Sequence, residues 1–180
     1  IFSTPAFKRG AEHLFKHYRI EFLTPYVDGT KSAHANSVLL KEQLIEYSKT
    51  HRKRKFWFIS FSKGGIDTLH FLKENPEFAE KYVAGLSLIA SPILGSNHIE
   101  TNFIQLVNAF THIPESISKS LLGKKIDPVA KELQKSLSAS YRRNWFRNNH
   151  RKLPQSLFYS ALALESKWYE SHIWMILTKS

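Results

Sequence analysis

Apolar positions along the first half of the chain alternate between two periods. Phe7, Ala11, Leu14, Phe15 and Tyr18 recur at helical spacing and predict a helix over 7–18. The next segment, RIEFLTPYV from Arg19 to Val27, reads as a strand closed by the turn residues Asp28 and Gly29. Ala33, Ser37, Leu40, Leu44 and Tyr47 then mark one stripe of a second helix over 32–50. Lys55–Phe61 is a near-continuous apolar run, the pattern of a strand buried on both faces of a parallel sheet. Helical spacing returns from Gly65 to Tyr82, with Pro76 as a point of interruption, and VAGLSLIA, Val83–Ala90, is a further strand. Strands separated by helices require right-handed crossovers and therefore an open α/β sheet.

The pattern changes after Ser96. Ile99, Phe103, Leu106, Val107 and Phe110 form an amphipathic stripe, followed by Pro114, a Ser/Lys-rich stretch and another helix beginning near Asp127. This predicts a helical insertion over about 97–152 within a single domain spanning 1–180. After Pro154, SLFYSALAL (Ser156–Leu164) predicts a fourth strand, while the aromatic segment Trp168–Leu177 fits either helix or strand. No internal repeat or low-complexity segment is visible.

Composition narrows the function classes. The 180 residues, 42% of them hydrophobic, suit one domain with a sizeable core. No apolar run reaches the length of a membrane-spanning helix, so no such span is expected. The sequence begins at Ile1 without a basic-then-apolar leader, which points to a processed or incomplete chain. The absence of cysteine excludes disulfides and thiolate chemistry. None of the nine histidines lies in the HExxH spacing of a zinc site, so neither metal nor cofactor is expected.

The net charge of +11 comes largely from two clusters, Lys49–Lys55 and the group Arg142, Arg143, Arg147, Arg151 and Lys152. Tyr141, Trp145 and Phe146 interleave with the second cluster, a feature shared with nucleic-acid binders. No recognition-module signature accompanies either cluster, so nucleic acid is not expected. Attraction to anionic lipid or another acidic surface fits the charge better.

The chemistry concentrates at KFWFISFSKGGIDTLHFL, Lys55–Leu72. Ser62 falls between a strand and a helix and is followed by Gly64 and Gly65. A serine there is either part of a linker of small residues or a nucleophile projected from the carboxyl edge of a sheet. The second geometry strains the serine backbone and requires small neighbours, with Ser60 and Gly64 expected at the crowded positions. The S-x-S-x-G pattern resembles the G-x-S-x-G nucleophile elbow of the α/β-hydrolase superfamily, lipase and esterase branch. ASPILGS, Ala90–Ser96, is similar to the T-P-H-x-G-S segment that follows the next strand in many bacterial lipases. Ser60 stands in place of the first glycine and Ile93 in place of the histidine.

This resemblance, which spans residues 1–96, implies an α/β-hydrolase-like parallel sheet with helices on both faces, a lid-type helical insertion and an incomplete fold. It implies a serine hydrolase of carboxylic esters of lipidic or acyl type, with contact to a lipid interface. Ser62 is the expected nucleophile and the backbone N–H of Lys63 an oxyanion donor, the Lys63 ammonium itself being solvated. The acid and the histidine of the triad are expected beyond Ser180, and the upstream oxyanion donor before Ile1. Glu165 and His172 lie too close together to serve and read as structural. Asp28 reads as a turn former, and Asp67 and His70 as satisfied structural polar groups. The alternative from another class is a catalytically inactive hydrolase-like module that binds lipid or protein.

Overall fold

The computed structural model describes residues 5–29, 31–51, 54–95 and 135–163. The predicted stripe over 99–110, the start of the helix near Asp127, the segment Trp168–Leu177, Glu165 and His172 lie outside the described residues. Helix α1 spans Pro5–Tyr18, α2 Ala33–Thr50, α3 Lys63–Glu74, α4 Pro76–Tyr82 and α5 Ala139–Asn149. Strands β1 (Phe56–Phe61), β2 (Val83–Ile89) and β3 (Phe158–Leu162) form a sheet in the order β1-β2-β3. Both pairings are parallel, and Ile59, Ser87 and Ser160 lie in register across the sheet.

Local chemistry accounts for most of the element boundaries. Helix α1 stops where Arg19 turns to φ 56° and its N–H bonds Phe15 O at 3.0 Å, a left-handed cap that satisfies a terminal carbonyl. Ser32 caps α2, its Oγ accepting from the Ala35 N–H at 3.2 Å. The break predicted at Pro76 is present: α3 ends at Glu74, and Pro76 begins α4, where its missing N–H costs nothing. The predicted strand after Pro154 forms over Phe158–Leu162 and is the third of the described residues.

The strand predicted over Arg19–Val27 does not form. The backbone groups of Tyr26 find a side-chain partner instead of a ladder: the Tyr26 N–H donates to Gln43 Oε1 at 2.7 Å, and Gln43 Nε2 donates to Tyr26 O at 2.8 Å. Glu21 is held by Arg54 and by the Tyr47 hydroxyl. Ile20, Phe22, Leu23 and Tyr26 are exposed. Apolar residues become a strand only where a neighbouring strand supplies the pairing, and none of the described strands lies beside this segment.

The core joins Leu40 and Leu44 of α2, Phe71 and Leu72 of α3, Leu86 and Leu88 of β2 and Trp145 of α5, with Phe56 and Phe58 of β1 packed against it. Burial of β1 on both faces, expected from its apolar run, is not what the structure has. Phe56, Phe58 and Ser60 face the core, whereas Trp57, Ile59 and Phe61 on the alternate positions are 50%, 51% and 46% exposed. Phe158 and Leu162 continue the exposed row on β3. Within that row Trp57 lies over Gly85, where a Cβ would stand 3.0 Å from the indole. Its Nε1–H donates to Ser87 Oγ at 3.0 Å, and the ring packs against Phe158.

Candidate active site

A parallel sheet brings the carboxyl ends of its strands to one edge, where the connections become available for chemistry. Here that edge carries Ser62 after β1 and the segment Ala90–Gly95 after β2. Ser62 has φ 50° and ψ −128°, a conformation that L-residues rarely occupy. It is held there by its N–H to Ile89 O at 3.0 Å and by its carbonyl, which accepts from the Gly65 N–H at 3.1 Å. Its hydroxyl makes no capping bond to α3. Ala90, at the end of the adjacent strand, also has positive φ, 46°, and donates to Leu162 O at 2.9 Å.

The small residues around the turn have distinct tasks. Thr68 Oγ1 donates to Gly64 O at 2.8 Å, so the Ser60 hydroxyl, 2.8 Å from Thr68 Oγ1, donates to it. Serine at position 60 therefore ties β1 to the first turns of α3, which glycine could not do. The crowded glycine is Gly65 and not Gly64. A Cβ on Gly64 would meet nothing within 4 Å, whereas one on Gly65 would fall 2.2 Å from Ser91 Oγ and 2.7 Å from Leu88 Cδ2. Helix α3 rests directly on the loop after β2, and the tight approach falls one residue later than the sequence pattern suggested.

Lys63 departs from expectation. Its side chain is 3% exposed, not solvated, and Nζ lies 2.8 and 2.9 Å from the two carboxylate oxygens of Asp67, one turn along α3. Asp67 Oδ2 also accepts from Asn36 Nδ2 at 2.8 Å. The same amide donates to Asp28 O at 2.8 Å, and Asn36 Oδ1 accepts from the Asp28 N–H at 3.1 Å. Burial pushes the Asp67 carboxyl above its ordinary range, opposed by the Lys63 ammonium and the Asn36 amide. Asp67 is thus a satisfied structural polar group, as its place in the helix suggested.

Arg142 is also buried, with 0% exposure, and so leaves the cluster of basic residues expected to face an acidic surface. Its Nε donates to Ile93 O at 3.2 Å, and its guanidinium carbon lies 4.5 Å from the Trp145 ring centroid. Its Nη2 finds no hydrogen-bond partner among the described residues. The fork thereby fastens α5 to the loop after β2, where Gly95, at φ +81°, admits the backbone of Ser138 and Ala139. Burial brings the Arg142 pKa down to about 10. Asn36 and Arg142 lie far from the elbow in sequence, and nothing in the spacing of either residue pointed to these contacts.

His13 and His17 lie one turn apart on α1, their rings tilted with centroids 4.3 Å apart. Among the described residues no group of three or more His, Cys, Asp or Glu side chains gathers as a metal site. The residues brought together at the elbow are Ser62, Lys63, Ser60, Gly65 and Ser91. An acid and a base for Ser62 are not among them.

No protein-family profile matches the sequence, and no curated protein does. The crystal structure of a metagenomic carboxyl esterase matches the fold with a TM-score of 0.65 at 20% identity, covering 89% of this chain and 45% of that one. A Bacillus licheniformis lipase in its mature form matches with a TM-score of 0.48 at 20% identity, over 73% of this chain and 47% of that one. The chain has an α/β-hydrolase-like fold, and it spans less than half the length of these two structures.

Proposed function

We propose that this chain carries the nucleophile-bearing part of a serine hydrolase acting on carboxylic esters, of lipidic or acyl type, at a lipid interface. The observation that carries the reading is the backbone of Ser62, held in a strained conformation at the end of β1 with its hydroxyl uncommitted to the helix. The esterase neighbour supports the ester class. In the mechanism, Ser62 Oγ attacks the acyl carbon while its proton passes to a histidine from outside the described residues. The carbonyl oxygen becomes an oxyanion and accepts from the Lys63 N–H at the start of α3, where main-chain donors have no intrahelical acceptor. The histidine returns the proton to the departing alkoxide, and water then releases the acid from the acyl-enzyme.

The test is covalent. In the complete protein, with sequence on both sides of this chain, a fluorophosphonate probe labels Ser62, and Ser62→Ala abolishes both labelling and ester turnover without loss of fold. Ester turnover that persists in the alanine variant assigns the nucleophile elsewhere.

A further inference from the structure

We propose that the buried Lys63–Asp67 pair is a positioning device that holds the oxyanion-binding peptide of the elbow in place. The inference rests on Ser62 being the nucleophile.

Any residue except proline at position 63 would supply a main-chain N–H, so a buried lysine there requires another explanation. Net stability is a poor one. Burying two ions is costly, and apolar residues of similar volume often do as well or better. What the pair supplies is a fixed geometry. The Ser62–Lys63 peptide lies between a strained Ser62 and the first residue of α3. An uncompensated rotation about Ser62 ψ, fraying the first turn of α3, would relieve that strain and swing the N–H away from an oxyanion. Such a rotation moves the Lys63 side chain with it. That side chain is anchored by two bonds to Asp67, at 2.8 and 2.9 Å. Asp67 is in turn held by Asn36 on α2, and Asn36 grips both main-chain groups of Asp28. The anchor therefore extends from the oxyanion peptide through α3 and α2 to the loop at Asp28. Because Asp67 neutralises the ammonium, the lysine serves as an anchor and not as a competing counter-ion. Lys63 and Asp67 are positioning residues, since neither side chain touches substrate in this scheme.

The experiment compares an aryl ester with its thionoester, in which sulfur replaces the carbonyl oxygen and responds weakly to an oxyanion hole. It uses wild type, Lys63→Met, Asp67→Asn and the paired Lys63→Met/Asp67→Leu. The paired variant leaves no buried charge without a partner and keeps the test valid if the single variants fold poorly. Loss of a whole oxyanion donor lowers turnover by about 10²–10³. A misplaced donor is expected to lower kcat on the ester about 10- to 100-fold, with KM unchanged and the thionoester rate changed less than about threefold. A drop in the ester-to-thionoester ratio in the paired variant supports the role, because loss of folded protein scales both rates together. An unchanged ratio in every variant, with wild-type turnover that requires Ser62, overturns the positioning role alone. Wild-type turnover that survives Ser62→Ala overturns the nucleophile assignment and this proposal with it.

Discussion

Arg142 and His70 meet in the interior, with Arg142 Nη1 2.9 Å from His70 Nε2. A guanidinium can only donate, so Nε2 carries the lone pair and the imidazole is neutral, with its proton on Nδ1. Trp145 stacks on the His70 ring at 4.2 Å between centroids. Burial and the Arg142 charge hold the His70 pKa down to about 3.

This arrangement makes stability depend on pH. The unfolded chain protonates His70 below about pH 6.5, whereas the folded chain resists to about pH 3. Between those values the unfolded state binds more protons, so stability falls as pH falls, by up to about 1.4 kcal/mol per unit from this residue. We expect His70→Gln, which retains an acceptor for Arg142, to flatten that slope. Urea midpoints of both proteins from pH 3.5 to 7.5 measure it, and parallel curves would refute it.

The two glycines after Ser62 should separate under substitution. Gly65→Ala places a methyl group against Ser91 and Leu88 and is expected to destabilise by about 1–3 kcal/mol. Gly64→Ala meets open space and is expected to be neutral or to stabilise by about 0.4–1 kcal/mol through the unfolded state. Thermal or urea denaturation decides, and equal effects would contradict the packing described.

The elbow conformation carries a stability cost that glycine should remove. We expect Ser62→Gly to raise stability by about 1–3 kcal/mol while abolishing probe labelling, because glycine adopts φ 50° without strain. A variant less stable than wild type would show that the serine side chain contributes more than its backbone conformation costs.

Much of the architecture was legible in the sequence because it depends on local signals. The stripe of the helix over 32–50, Pro76 as a break and the passage from the Lys55–Phe61 run to helical spacing all act within a few residues. The elbow was legible for the same reason: its strand, serine and glycines are contiguous. Arg19–Val27 was misread because pairing is non-local, and Gln43 satisfies Tyr26 in a way that no spacing within the segment reveals. Lys63 and Arg142 were misread because charged side chains are rarely buried, and their partners Asp67 and His70 showed no sign of waiting for them. The exchange of roles between Gly64 and Gly65 depends on the height of Ser91 beneath α3, a property of the next crossover.

The uncovered row of Trp57, Ile59, Phe61, Phe158 and Leu162 alters how substitutions in this sheet are to be weighed. A side chain facing the core owes its identity to neighbours in its own chain, and its loss registers as lost stability. These five have less to lose in that respect, since water already reaches about half of each, although Trp57 keeps its bond to Ser87 and its packing on Phe158. Conservative changes along the row should leave the chain's own melting behaviour nearly untouched. A census of tolerated substitutions based on folding alone would therefore pass them as ordinary surface.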